Sequence, residues 1–183
     1  ALAARLTAYV PIEWEEDMGA ALMEELAPAR SVCGDPERLR VLEALVEQLA
    51  QASPVAPYTI RLAIVDDSLV NAVAAPGGYI VVFRGLLEET ETPEEVAGVL
   101  AHEIQHVVQR HGTTAVLKEL PLRLVTVASG DAGGVLSAAT TLGSLRYRRG
   151  DEEAADREGL RMLRAAGISP DGMIRFFERL AAE

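Results

Sequence analysis

The chain has almost no cysteine and a shortage of basic residues, and each shortage excludes something. A single cysteine, Cys33, rules out a disulfide framework and any cysteine-rich metal site. It reads as a small buried thiol. Seventeen Lys and Arg stand against 28 Asp and Glu, a formal charge of −11. A surface with that balance has no cationic excess to grip a phosphate backbone, so nucleic acid is excluded as a partner. Internal repeats and low-complexity tracts are missing too. So is an initiator methionine: Ala1 stands first, and a processed or trimmed chain is expected, one from which a signal peptide or membrane anchor can have been removed. What is present suffices for a core. With 49% hydrophobic and 25% charged residues in 183, the chain is globular and of a size for one domain, residues 1–183.

The periodicity changes twice along the chain. In the first stretch, 1–52, Trp14, Met18, Leu22 and Leu26 repeat at helical spacing and predict an apolar stripe on one helix. Asp35-Pro36 is a cap followed by proline at the first helical position, opening a second helix that runs to about Ala52. Between 58 and 83 the period becomes that of strands. Thr59 to Val65 and Tyr79 to Phe83 are β-rich, with Asn71 to Ala75 and the tight turn Pro76-Gly77-Gly78 between them. A small mixed sheet is expected. Helix returns over 92–111, opened by Thr92-Pro93 with Glu95 placed to complete a capping box, and stopped at Gly112. Residues 113–145 form an apolar, lid-like segment. Its stretch from Leu124 to Leu145 carries one charge, Asp131, and its glycines at 130–134 favour two short buried helices over a membrane span. The last stretch, 151–183, holds two more helices. The fold class is α+β, mostly helical, with a small mixed sheet.

The chain's three histidines lie within ten residues, at 102, 106 and 111. His102-Glu103-Ile104-Gln105-His106 is an HExxH pattern. On a helix, positions i and i+4 share a face, so two imidazoles can grip one Zn²⁺ while Glu103, at the edge of that face, can take a proton from water. A catalytic zinc site takes a third protein ligand. The chain has Gln109 and Gly112 where a metzincin needs Gly and His, so that class is excluded. His111 has the wrong spacing to join the pair from the same helix and reads as a cation of the C-terminal turn or a packed side chain. The third ligand is then expected to be a carboxylate on another element. Glu152 and Asp156 are i, i+4 on one helix face, able to ligate and to orient a ligand imidazole respectively. Asp151 and Glu153 point away from that face. An acidic helix N-terminus that complements the dipole has the same composition, and the residues alone leave both readings open.

Three segments in order resemble one family. Asn71-Ala72-Val73-Ala74-Ala75-Pro76-Gly77-Gly78, then HExxH with His111, then Glu152-Glu153-Ala154-Ala155-Asp156 are similar to the signatures of the HtpX / CAAX prenyl protease family of zinc metallopeptidases, the minigluzincins. The resemblance covers roughly residues 10 to 183. It implies a zincin-like domain with an HExxH active-site helix and one Zn²⁺ per chain, held by His102, His106 and Glu152. It also implies Glu103 as general base and Asp156 as the acid behind a ligand histidine. There are two departures. Gln105 replaces the family's small residue, a change expected on the helix exterior. Roughly forty-five residues separate HExxH from Glu152, too few for two membrane-spanning helices, which points to the soluble or envelope-facing, chaperone-like bacterial branch.

The expected function is zinc-dependent endopeptidase, with a location at the bacterial cell envelope and a part in protein quality control. An extended peptide or unfolded protein would add a strand along Asn71 to Ala75, with Gly77 and Gly78 letting the rim approach it. Tyr147 and Arg149 are candidates for contacting the transition state. The alternative is a zinc-bound but weakly active holdase or adaptor that uses the apolar segment, Leu117 to Leu145, to bind unfolded envelope proteins or a membrane surface. The intact Glu103 speaks for the enzyme.

Overall fold

The computed structural model describes residues 2–28, 35–53, 55, 57–118 and 147–182. In order these form α1 (Leu2–Thr7), α2 (Ile12–Leu26), α3 (Pro36–Ala52), β1 (Arg61–Val65), β2 (Ala72–Ala75), a 3₁₀ turn (Pro76–Gly78), β3 (Tyr79–Phe83), α4 (Arg84–Glu89) and α5 (Pro93–Val108). A helix α6 over residues 111–118 follows, then α7 (Arg149–Ala165) and α8 (Asp171–Ala181). The fold is mostly helical α+β with one small mixed sheet, as the sequence predicts. Cys33, the two short helices expected over 124–145 and most of the lid-like segment lie outside the described residues.

Helix α5 is the axis of the molecule. Residues 97–107 are buried without a break, so neighbours cover it on every side. Its partners include β2, α3, α7 and α8. Gly98 lets α8 come close: a Cβ there would lie 2.5 Å from the Cβ of Met173. α7 also packs closely, with the Gly159 Cβ position 3.4 Å from the His102 backbone nitrogen, an ordinary contact distance. The core is built from Leu49, Ile64, Ile80, Leu100, Ile104, Leu163 and Phe176, all essentially inaccessible.

The sheet has the order β1-β3-β2. β3 runs parallel to β1 and antiparallel to β2, with Val73 opposite Val81. β2 is therefore an edge strand. The Asn71 carbonyl accepts from the Phe83 N–H at 3.1 Å, so 71, 73 and 75 face β3, and the alternation turns the polar groups of Ala72 and Ala74 outward.

Several local expectations are corrected. The stripe on α2 is rotated: Glu15, Gly19 and Leu22 are buried, whereas Trp14 is 41% exposed. A buried network holds that face. The Glu15 carboxylate accepts from Tyr58 Oη at 2.6 Å, from Arg110 Nε at 2.9 Å and from Thr113 Oγ1. Helix α5 ends before Gly112, because Arg110 adopts a left-handed φ of 58° and Gly112 already lies inside α6. Arg110 is anchored there by Glu15 and by the Val10 carbonyl, 2.6 Å from Nη2. The capping box at Thr92 is half formed. Thr92 Oγ1 accepts from the Glu95 N–H at 3.4 Å, but the Glu95 carboxylate accepts from the Glu91 N–H at 2.9 Å and from Arg179 at 2.8 Å. Gln105 is not on the helix exterior either. It is 5% exposed, with its amide nitrogen 3.9 Å from the Met162 sulfur on α7.

Candidate metal centre

α5 delivers the two histidines of the HExxH pattern to a cleft floor, and the first turn of α7 brings Glu152 over them. His102 Nε2 lies 2.9 Å from His106 Nε2 and 3.4 Å from Glu152 Oε2. His106 Nε2 lies 3.7 Å from Glu152 Oε1. One donor atom from each residue falls within 4.8 Å of the others. A tetrahedral zinc with arms of ~2.0–2.1 Å separates its ligands by roughly 3.3 Å, and the observed spacings bracket that value. Two neutral imidazoles and a carboxylate are the donor set of a catalytic zinc with an open position. Residues and group fit.

Asp156 faces the other side of His102, its Oδ1 2.9 Å from Nδ1. Burial works against protonating His102, but the hydrogen bonds to Asp156 and Glu152 outweigh it and carry the pKa up to about 10. Burial pushes His106 the other way, reinforced by the charge of His102 and by His111. Without a metal the site therefore holds a proton on His102, which a cation has to displace.

Glu103 lies beside the pair, 9% exposed. Burial raises its pKa to about 7, against the pull of His102 and a backbone hydrogen bond from Ala74. Ala74 is thus occupied on both sides: its N–H serves Glu103, and its carbonyl accepts from Tyr147 Oη at 3.4 Å. The Tyr147 ring stacks on His106, with centroids 4.1 Å apart and planes 17° from parallel. Burial raises the Tyr147 pKa, so the phenol is neutral.

These groups face a cleft of about 260 Å³. Val70 to Ala74 form one rim, His102, Glu103, His106, Tyr147 and Glu152 the polar floor, and Leu86, Val99, Phe176, Phe177 and Leu180 an apolar wall. Of the residues named from the sequence, this brings together the histidine pair, Glu103, Glu152, Asn71 and Tyr147, with Asp156 behind His102. Three others lie elsewhere. Gly77 and Gly78 have φ of 75° and 96° and are buried, with α2 and Thr59 occupying the space their Cβ atoms would need. Their role is close packing rather than a rim. Arg149 is exposed at the start of α7 and does not line the cleft.

Two further residues reach the site. His111 is 9% exposed, and burial lowers its pKa, so of its two expected roles the packed side chain holds and the C-terminal cation does not. Its Nδ1 sits 2.9 Å from His106 Nδ1. Asp151, expected to point away, is 3.9 Å from His111 Nε2.

The model of peptidase family M48 matches residues 36–182. The chain belongs to peptidase family M48. Its His102, His106 and Glu152 cluster offers the donors of a His–His–Glu metal site. It is similar to the beta-barrel assembly-enhancing protease of Yersinia pestis, 30% identical over 95% of this chain and 39% of that protein. It also resembles metalloprotease LoiP of Escherichia coli strain K12, 31% identical over 85% of this chain and 62% of LoiP. A third relative is the mitochondrial metalloendopeptidase OMA1 of Arabidopsis thaliana, 35% identical over 64% of this chain and 25% of that protein. The chain spans about two fifths of the length of the assembly-enhancing protease it matches. Among the described residues, no helix is long and apolar enough to cross a membrane.

Proposed function

We propose that this domain is a zinc-dependent endopeptidase that cleaves extended or unfolded protein segments, with one Zn²⁺ held by His102, His106 and Glu152. The observation that carries the reading is the convergence of those three donors within 4.8 Å beside a buried Glu103. When bound, zinc supplies Lewis acidity that makes water a nucleophile near neutral pH.

The chain's own residues do the rest. Asp156 accepts from His102 Nδ1–H and holds that ring in the tautomer that leaves Nε2 free. Glu103 takes the proton of the attacking water and returns it to the leaving amine. The outward N–H and C=O of Ala72 offer a substrate strand its first backbone hydrogen bonds, so that the peptide extends the sheet along β2. Tyr147, its ring over His106 and its hydroxyl at Ala74, stands where a rotated phenol can donate to the developing oxyanion. The apolar wall around Phe177 favours a hydrophobic side chain beside the scissile bond.

Substrates connected with β-barrel assembly are supported by the name of the Yersinia pestis relative, the beta-barrel assembly-enhancing protease. The test is Glu103→Gln assayed on unfolded casein. Peptide hydrolysis falls by at least ~10²–10⁴-fold, while zinc content stays at one per chain. Near-normal turnover removes Glu103 from its role, and a zinc-free wild type overturns the reading.

A further inference from the structure

His111 belongs to neither the HExxH pair nor the Glu152 segment, yet the fold goes to some length to place it. On a continuous helix, a residue five positions after His106 would point about 140° away from it. The chain instead breaks after Val108, passes through the left-handed Arg110 and restarts as α6. The break is pinned from outside the site: Glu15 on α2 accepts from Arg110 Nε, and the Val10 carbonyl accepts from Nη2. Thr113, one turn into α6, bonds the same Glu15 carboxylate. The result returns the His111 ring to His106 at 2.9 Å between the two Nδ1 atoms, both residues buried.

The proton arithmetic of this contact is decisive. The metal side of His106 is Nε2, which faces His102 Nε2 and Glu152. A neutral imidazole carries one proton, so a ligating Nε2 leaves that proton on Nδ1. Two nitrogens 2.9 Å apart cannot both present a hydrogen to each other. His106 Nδ1–H donates, His111 Nδ1 accepts, and the proton of His111 therefore sits on Nε2. That edge faces Asp151 Oδ1 at 3.9 Å, too long for a direct hydrogen bond but close enough for attraction.

We propose that His111 is the positioning residue for His106: it fixes the tautomer and the ring plane of that ligand, as Asp156 does for His102, and Asp151 orients His111 in turn. This rests on the reading of His106 as a metal ligand. The two histidines are then served by acids five residues apart on the same helix that supplies Glu152. One acid acts directly and the other through an imidazole.

The test uses zinc affinity, measured by competition with a chromophoric chelator at pH 7, together with nitrogen NMR of the zinc-loaded protein labelled in its histidines. His111→Leu removes the acceptor and weakens zinc by about 10–100-fold. His111→Asn, whose carbonyl can occupy the Nδ1 position, recovers most of that loss. In the wild type, NMR finds His106 protonated on Nδ1 and His111 protonated on Nε2, a readout that needs no variant to fold. Unchanged zinc affinity in His111→Leu, no advantage of Asn over Leu, or a proton on His111 Nδ1 overturns the positioning role alone. A wild type without zinc overturns the metal site and this role with it.

Discussion

Glu103 carries the site's most consequential electrostatics. Burial lifts its carboxyl from 4.5 to about 7, so the base is half protonated near neutrality when no cation is near. A general base works only when ionised, so activity is lost as pH falls through its pKa. A nearby dication draws that pKa down, which places the acidic limb of kcat/KM between 4.5 and about 7. The measurement is a pH–rate profile with zinc content checked at each point. A flat profile down to pH 4.5 with zinc retained contradicts the assignment. The same raised pKa means the folded state prefers Glu103 neutral, and its ionisation costs stability above the unfolded value of 4.5. Metal-free Glu103→Gln is accordingly at least as stable as wild type near pH 8. A second residue-scale prediction fixes the register of α7. Glu152 lies over the histidine pair, while Glu153 is exposed and Asp156 bonds His102 of that pair. Glu152→Ala loses most bound zinc, Asp156→Ala weakens it by about 10–100-fold and Glu153→Ala leaves it unchanged. Metal analysis of the three variants checks this, and zinc lost through Glu153→Ala but kept in Glu152→Ala would put the ligand assignment out of register.

At the scale of elements, the anchoring of α2 to the α5–α6 junction through Glu15 matters more than its apolar stripe. Glu15 is 1% exposed and holds Tyr58 together with Arg110 and Thr113 of the α5–α6 junction. Removing it strands the Arg110 charge, whose side chain is only 19% exposed. Glu15→Ala therefore lowers unfolding free energy by about 3–5 kcal/mol, as for other buried pairs broken on one side. Urea unfolding of the two proteins gives the number, and a change under about 0.5 kcal/mol, typical of a surface site, rules the network out as a structural anchor.

The whole molecule is organised so that its metal site joins α5 to α7. A cation bound only by the folded state stabilises by mass action, about 4 kcal/mol when free zinc is a thousandfold above Kd. For a chain of this length that corresponds to roughly 8–16 °C in Tm. Calorimetry with zinc, with chelator and with zinc restored checks it. An unchanged Tm in all three shows that the two helices are held without metal.

The sequence by itself determined what local rules can encode. Asp35 caps α3, accepting from Glu37 and Arg38 N–H as its place before Pro36 requires. HExxH lies on a helix because four residues make one turn. Glu152 and Asp156 meet the same neighbour because they too are one turn apart. The two β-rich runs pair as β1 and β3. Only the tertiary structure decided which face of α2 is buried, since a carboxylate with three donors outweighs Trp14 there. It also decided that Gly77 and Gly78 serve packing rather than the cleft, and that a left-handed Arg110 turns His111 back to the site. Each of these depends on a partner far along the chain, Glu15 to Arg110 or Glu16 to Gly77, and no periodicity within one segment records such a partner.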